Sequence, residues 1–195
     1  ATGSHDRTCR IWTTELSSPI RAFCGHIGDV DCVAWHPNSN YVATGSSDRT
    51  VRLWDVSTGR CTRLFAGHTT GVTALAFSPD GQSISTADDS GIIHSWDLDS
   101  ARCFKTMLGH ENAVYSLDYS GGGGETLASA GADDTVRIWD HKGGLESVVT
   151  GIIPKIAPTK TFRTKNCPVV NAQFTRRNLL LAFGSRRMPV YHHIN

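Results

Sequence analysis

A histidine, a carboxylate and a hydroxyl recur together along this chain, and hydrolases build a nucleophile and its base from these residue types. The clearest set is His26, Thr44 and Asp48. In a hydrolytic triad the carboxylate orients the imidazole, and the imidazole takes the proton of the hydroxyl. The elements that position the three residues decide between that chemistry and a structural role.

The set belongs to a unit that repeats along the chain. Pairs of Gly and His open the units at intervals of 42 residues, at Gly25-His26, Gly67-His68 and Gly109-His110. Pairs of Trp and Asp close them at intervals of 42 and 43, at Trp54-Asp55, Trp96-Asp97 and Trp139-Asp140. Trp12, 42 residues before Trp54, closes an earlier copy. A period in the low forties with these boundaries is typical of the WD-repeat β-propeller.

The repeat predicts a structural role for the polar residues. In WD-repeat propellers a His, a strand Ser or Thr, a turn Asp and the Trp form a hydrogen-bonded tetrad inside each blade, and such a chain stabilises only when every member is satisfied. The predicted tetrad residues are His26, Thr44, Asp48 and Trp54; His68, Thr86 and Trp96; His110, Ser129, Asp133 and Trp139; and Thr2, Asp6 and Trp12. We therefore predict no catalytic residue and no enzyme activity.

The second full unit leaves one tetrad position open. Ser90 stands where the turn Asp is expected, and Asp88 and Asp89 come directly before it. Either a shifted turn supplies one of these carboxylates, or the tetrad of this unit is incomplete.

The predicted fold is all-β, a partial WD40 propeller of four-stranded antiparallel blades that spans residues 1–195. Its predicted divisions are a partial blade at 1–24, blades at 25–66, 67–108 and 109–166, and a partial closing blade at 167–195. Gly and Pro residues predict an inserted loop at about 141–158. Residues 1–4 match residues 43–46, so we expect a longer protein with two or three further N-terminal blades in a seven-bladed ring. Closure with five blades is the alternative.

Charge is divided unevenly along the chain. Residues 1–140 contain 10 Lys and Arg against 17 Asp and Glu, whereas residues 141–195 contain nine against one. A basic segment beside an acidic body can bind nucleic acid or an acidic partner, or fold back on the body. For Arg176 and Arg177 we predict a structural or partner contact and not direct DNA binding. No run of 18 apolar residues predicts a membrane span.

The six cysteines show no metal or disulfide spacing. Cys61 and Cys103 are 42 residues apart at the same site of two units, so repetition explains them. Reduced cysteines predict the cytosol or the nucleus. We predict no metal, no cofactor and no small-molecule substrate.

Two stretches resemble the WD-repeat TBP-associated factors, the fifth subunit of the general transcription factor TFIID. Residues 36–55 look like one of their repeats, and residues 161–170 and 174–182 are similar to their C-terminal end. The resemblance implies a non-catalytic nuclear scaffold that docks histone-fold TBP-associated factors in TFIID, and also in the SAGA coactivator. A generic WD40 adaptor, such as a ubiquitin-ligase substrate receptor or a microtubule-associated regulator, is the alternative.

Partner binding is predicted on the loops of the blades, because a rigid ring holds them in place. The Gly-His loops and the Asp turns emerge on one face. The candidate partner-binding residues are Asp29, Arg49, Thr70, Glu111, Asn112 and Asp134, with Arg176 and Arg177 in the tail. The alternative for each of them is an ordinary solvated loop residue.

Overall fold

β-Strands are the only regular elements in the part of the chain that the computed structural model describes, residues 1–143, 153–165 and 167–184. Apolar residues alternate with polar ones along most strands, as a sheet with a buried face requires. The strands form five sheets, and antiparallel neighbours follow one another in chain order. The predicted all-β class and the partial propeller are confirmed. No helix long and apolar enough to cross a bilayer is found in the described ranges.

The first two sheets cover the N-terminal third of the chain. Sheet 1 contains β1 (Thr2–Gly3), β2 (Thr8–Ile11) and β3 (Arg21–Cys24). Sheet 2 contains β4 (Val30–Trp35), β5 (Tyr41–Ser46), β6 (Thr50–Asp55) and β7 (Cys61–Ala66).

The remaining sheets follow in the same order. Sheet 3 contains β8 (Val72–Phe77), β9 (Ser83–Asp88), β10 (Ile93–Asp97) and β11 (Cys103–Met107), with β15 (Lys155–Ile156) beside β11. Sheet 4 contains β12 (Val114–Tyr119), β13 (Thr126–Gly131), β14 (Thr135–Asp140) and β16 (Lys160–Arg163). Sheet 5 contains β17 (Val169–Phe174) and β18 (Leu180–Gly184).

The core lies between consecutive sheets, which pack face to face. Phe65 of sheet 2 is fully buried and belongs to one cluster with Val72 and Phe77 of sheet 3. Met107 of sheet 3 and Trp139 of sheet 4, both fully buried, share the next cluster. Burying each such side chain stabilises the fold by about 1.5–3 kcal/mol. Each sheet therefore depends on its neighbours, as the blades of a propeller do.

The turn between the second and third strands of each of the first four sheets uses a left-handed backbone. The residues with φ between 59° and 85° are Arg7, Arg49, Gly91 and Asp134. Only Gly adopts this conformation without a steric cost, so the other three residues lose some stability in exchange for the turn.

The segment predicted as an inserted loop is more ordered than expected. Of residues 141–158 the structure describes 141–143 and 153–158. His141 is buried, and β15 pairs in parallel with β11 of the preceding sheet. The loop prediction was therefore wrong at these residues, because the free edge of β11 supplies the hydrogen bonds that a two-residue strand cannot provide alone. Residues 144–152, 166 and 185–195, which include the end of the predicted closing blade, lie outside the described ranges.

Candidate functional site

The polar residues of the second sheet form one hydrogen-bonded chain. His26, in the loop before β4, contacts Asp48 in the turn after β5, with 2.8 Å between Nδ1 and Oδ2. Its Nε2 lies 2.8 Å from Thr44 Oγ1 in β5. The indole N–H of Trp54 in β6 donates to the same hydroxyl oxygen at 2.8 Å. The carboxylate therefore accepts from Nδ1–H, and Nε2 accepts the Thr44 proton.

The fourth sheet repeats this arrangement. His110 Nδ1 lies 2.9 Å from Asp133 Oδ2, and its Nε2 lies 2.6 Å from Ser129 Oγ. The Trp139 indole donates to Ser129 at 2.8 Å. In the first sheet, Trp12 donates to the Thr2 hydroxyl at 2.9 Å. There Asp6 accepts the hydroxyl of Thr8 at 2.6 Å.

The third sheet uses a different residue as its carboxylate. Asp88, at the end of β9, lies 2.8 Å from His68 Nδ1 and is fully buried. Thr86 contacts His68 Nε2 at 2.7 Å and accepts from the Trp96 indole at 2.8 Å. Ser90 donates its hydroxyl to Asp88 at 2.7 Å. The Asp and Ser have exchanged places relative to Ser46 and Asp48, which settles the position that the sequence left open.

Burial and hydrogen bonds hold these groups in fixed protonation states. Burial opposes ionisation of Asp48, but hydrogen bonds from Thr50, His26 and the Ile27 N–H outweigh it and lower its pKa to about 2. Burial lowers the pKa of His26 and of His110, although the neighbouring carboxylates raise it. Near neutral pH the carboxylates are therefore charged and the imidazoles neutral.

This chemistry is closed to substrates. The hydroxyls of Thr44, Thr86 and Ser129 belong to fully buried residues, and each already accepts an indole N–H. A hydrolytic nucleophile must reach a scissile bond and have its base free to take a proton. The geometry therefore serves to join the strands of each sheet, and none of the three hydroxyls can attack a substrate.

Six of the eight predicted partner-binding residues lie at one end of the strands. The loop before each first strand is bonded there to the turn after the second, as shown by Asp29 N–H, which donates to Ser47 Oγ at 2.9 Å. The six residues on this loop end are Asp29, Arg49, Thr70, Glu111, Asn112 and Asp134. Arg49, Glu111 and Asn112 are exposed.

The other loop-end residues are already engaged. Asp29 Oδ2 lies 2.7 Å from His5 Nδ1. The Thr70 hydroxyl accepts the Ser90 N–H at 3.2 Å. Asp134 has a buried Oδ1 without a hydrogen-bond partner among the described residues, and its backbone oxygen accepts the Thr164 N–H at 2.8 Å. These contacts leave less of Thr70 and Asp134 free for a partner than the sequence suggests.

Arg176 and Arg177 are exposed at the opposite end of the strands. They lie in the turn between β17 and β18, and Asn178 in the same turn donates to the Gly121 carbonyl at 3.3 Å. Gly121 follows β12, so this end carries the turns between first and second strands. The structure therefore divides the eight candidates between two faces.

An acidic group on the loop end was missing from the predicted set. Asp31 and Asp89 are both exposed there. Burial raises the pKa of Asp31 first, and the nearby charges of Asp29 and Asp89 raise it further. We call Asp29, Asp31 and Asp89 the acidic loop set. Its signal in the sequence was an Asp within two residues of a predicted loop or turn position.

The family follows from the repeat profile that the chain matches. The family described as "WD domain, G-beta repeat" matches residues 17–55, 59–97 and 101–140, more than half of the chain. The chain belongs to the WD-repeat family.

Individual relatives match over single repeats. A stretch of 43 residues is 46% identical to "Transcription initiation factor TFIID subunit 5" of Caenorhabditis elegans, which is 22% of this chain and 7% of that protein. A stretch of 37 residues is 46% identical to "Polyadenylation factor subunit 2" of Schizosaccharomyces pombe, which is 19% of this chain and 7% of that protein. The matches therefore span a small part of either relative.

A second buried polar cluster joins two WD repeats and was not predicted. Lys105 of β11 is fully buried, and its Nζ donates to the carbonyls of Asp140, His141 and Gly143 at 3.1, 2.5 and 2.6 Å. The His141 ring contacts Ser83 Oγ at 3.1 Å and the Tyr119 hydroxyl at 3.3 Å. Repeat spacing carries no signal for these contacts, because the other repeats lack them.

Proposed function

We propose that this chain is part of a non-catalytic scaffold that docks histone-fold TBP-associated factors in TFIID in the nucleus, and in SAGA where the subunit is shared. The observation that carries the proposal is the 46% identity over 43 residues to a protein named TFIID subunit 5. The resemblance of residues 161–170 and 174–182 to the C-terminal end of that family supports it independently.

The geometry supports a scaffold and not a catalyst. The tetrad hydroxyls are buried and hydrogen-bonded, so the reactive-looking residues stabilise the blades. The loops held between them form a rigid surface. The acidic loop set and the exposed Glu111 give that surface negative charge, which favours a basic partner surface. A permanent assembly would bury about 2,000 Å² or more on such a surface.

A charge-reversal experiment tests both the partner and the face. The chain is co-expressed with a pair of histone-fold TBP-associated factors, and the complex is quantified by calorimetry. Asp29→Lys, Asp89→Lys and Glu111→Lys together should weaken binding at least about tenfold. The thermal melt should not change, because these residues lie outside the tetrads. Arg176→Glu with Arg177→Glu, on the opposite face, is the matched control and should bind normally.

The outcomes separate the parts of the proposal. No binding by the wild-type chain would contradict the TFIID proposal. Normal binding by the acidic variant, with loss in the arginine variant, would move the interface to the opposite face. A retained complex in both variants would place the interface elsewhere on the blades.

A generic WD40 adaptor is the second candidate. The similarity to a polyadenylation factor subunit is equal in identity, although it covers a shorter stretch. Both relatives are named as subunits of larger factors, so a scaffold role does not depend on choosing between them. Binding to a ubiquitin-ligase component or to tubulin, without binding to histone-fold factors, would favour the adaptor.

A further inference from the structure

The outer edge of one blade accepts an extra strand from elsewhere in the chain. β15 pairs in parallel with β11, the outermost strand of sheet 3 in chain order. The N–H of Thr106 donates to the Pro154 carbonyl at 3.0 Å, and the N–H of Leu108 donates to the Ile156 carbonyl at 3.0 Å. These outward N–H groups of a blade edge are therefore positioned to bind an extended segment.

The same edge positions recur on β16 in the next blade. Lys105 pairs with Ser95, the residue before Trp96, and Lys160 pairs with the residue before Trp139. Counting from these two lysines, Thr161 corresponds to Thr106 and Arg163 to Leu108. Sheets 3 and 4 therefore present equivalent outer edges.

The backbone of β16 faces outward at these two residues. Thr164 donates its N–H inward, to the Asp134 carbonyl at 2.8 Å. Backbone groups alternate between the two sides of an antiparallel strand, so those of Thr161 and Arg163 point away from β14. All four residues of β16 are exposed, and among the described residues no strand pairs with this edge.

The charge around β16 selects the partner. Lys160, Arg163 and Lys165 are exposed, and residues 153–184 contain no Asp or Glu. Like charges oppose pairing of this edge with a second copy of itself. We propose that the outer edge of β16 binds an extended acidic segment of a partner protein, which adds in parallel as β15 does on β11.

A peptide fits this edge better than a nucleic acid. The N–H and C=O groups of Thr161 and Arg163 have the spacing that another strand reads, whereas a phosphate chain uses only the cationic side chains. The half-exposed Phe162 ring, 52% accessible, adds apolar contact area for alternate side chains of the segment. This surface is separate from the loop end, so the inference does not depend on the TFIID proposal.

The probe is a short fluorescein-labelled peptide that alternates glutamate with valine, and binding to the whole chain is followed by anisotropy. We expect saturable binding that weakens with added salt. Amide hydrogen exchange should slow at Thr161 and Arg163 when the peptide is bound. A peptide with lysine in place of glutamate should not bind, and an acidic peptide interrupted by prolines should bind weakly.

Proline substitution at the edge separates backbone pairing from charge. Thr161→Pro removes an outward N–H and no bond to β14, so the blade should keep its thermal melt. It should weaken peptide binding about five- to tenfold, the effect of one or more lost hydrogen bonds. Leu64→Pro is the matched control, since Arg63 pairs with the residue before Trp54 and Leu64 holds the equivalent place on β7.

Lys160→Glu with Arg163→Glu tests the charge and should also reduce binding. Equal binding of the acidic and lysine peptides, or an equal effect of Leu64→Pro and Thr161→Pro, would overturn the proposal. Unprotected Thr161 and Arg163 amides in the bound state would do the same. Tighter binding of a DNA oligonucleotide at this edge, or dimerisation lost in Thr161→Pro, would assign the edge to a different occupant.

Discussion

Asp48 and Asp133 each accept hydrogen bonds from a buried imidazole and from a threonine hydroxyl two residues later. Removing either carboxylate leaves the imidazole N–H without its acceptor. We expect Asp48→Ala and Asp133→Ala each to lower the free energy of unfolding by ~1–3 kcal/mol. Urea denaturation followed by tryptophan fluorescence measures the change. Asp99→Ala, at an exposed position, is the control and should change stability little.

The exchanged Asp and Ser of the third sheet give a sharper test at the residue scale. Because Ser90 already donates to Asp88, Ser90→Asp places two carboxylates together and should cost about 1 kcal/mol or more. Asp88→Ser should cost at least as much, since His68 loses its acceptor. The double variant restores the order found at Ser46 and Asp48, so it should be more stable than the sum of the single effects.

Additive effects in this cycle would mean that the two positions cannot substitute for each other. The control for the cycle is Asp89→Ser, an exposed neighbour in the same turn, which should leave stability nearly unchanged.

At this scale the sequence could predict what the period repeats. His26, Thr44 and Trp54 follow from spacing, because the same polar chain recurs in every unit. The carboxylate of the third sheet could not be assigned, since Asp88 and Asp89 have the same side chain and only the backbone direction at each residue separates them. Lys105 could not be predicted either, because its three carbonyl partners lie 35 or more residues away.

At the scale of elements, Lys105 ties the end of β14 to β11. Burial lowers the pKa of its ammonium, while the Asp140 charge raises it. We expect Lys105→Met to lower the free energy of unfolding by about 2–4 kcal/mol, because three carbonyls lose a charged donor. Amide exchange at β15, which pairs with β11, should become faster. Calorimetry and hydrogen exchange measure the two effects.

Lys160→Met is the matched control, since Lys160 holds the equivalent register on β16 but is exposed. A similar loss in both variants would mean that the carbonyl contacts of Lys105 contribute nothing specific.

Strands were predictable wherever the pattern of a repeat stood behind them. β4 begins at Val30 and ends at Trp35 as the alternation indicates, and the other strands of full units lie close to their predicted positions. β15 was not predictable, because two residues carry no periodic pattern. Its stability comes from the edge of β11, and strand formation of this kind depends on tertiary contact and not on propensity.

At the scale of the whole molecule, buried histidines make stability depend on pH. Burial, with the nearby positive charges of Lys105 and His68 respectively, lowers the pKa of His141 and of His94 to about 4. The unfolded chain binds protons at these residues below about pH 6.5, whereas the folded chain does not until about pH 4. Their contribution is therefore complete above pH 6.5 and is lost as the pH falls from 6.5 to 4.

We expect the free energy of unfolding to fall by on the order of 2 kcal/mol for each of the two histidines across this window. His94→Gln with His141→Gln should flatten the dependence, measured by urea denaturation at pH 7 and pH 5. His5→Gln, at a side chain 90% exposed, should keep it. An unchanged slope in the double variant would show that other groups carry the acid sensitivity.

The left-handed turn residues have a consequence for engineering the molecule. Evolution placed Gly at only one of these four turns, at Gly91, and left Arg7, Arg49 and Asp134 in a backbone conformation that disfavours a side chain. The chain thus carries an unused reserve of thermostability. Arg49 is exposed, so Arg49→Gly should recover roughly 0.5–1 kcal/mol and raise Tm, whereas Gly91→Ala should lower it because a Cβ would lie 2.7 Å from the His110 carbonyl oxygen.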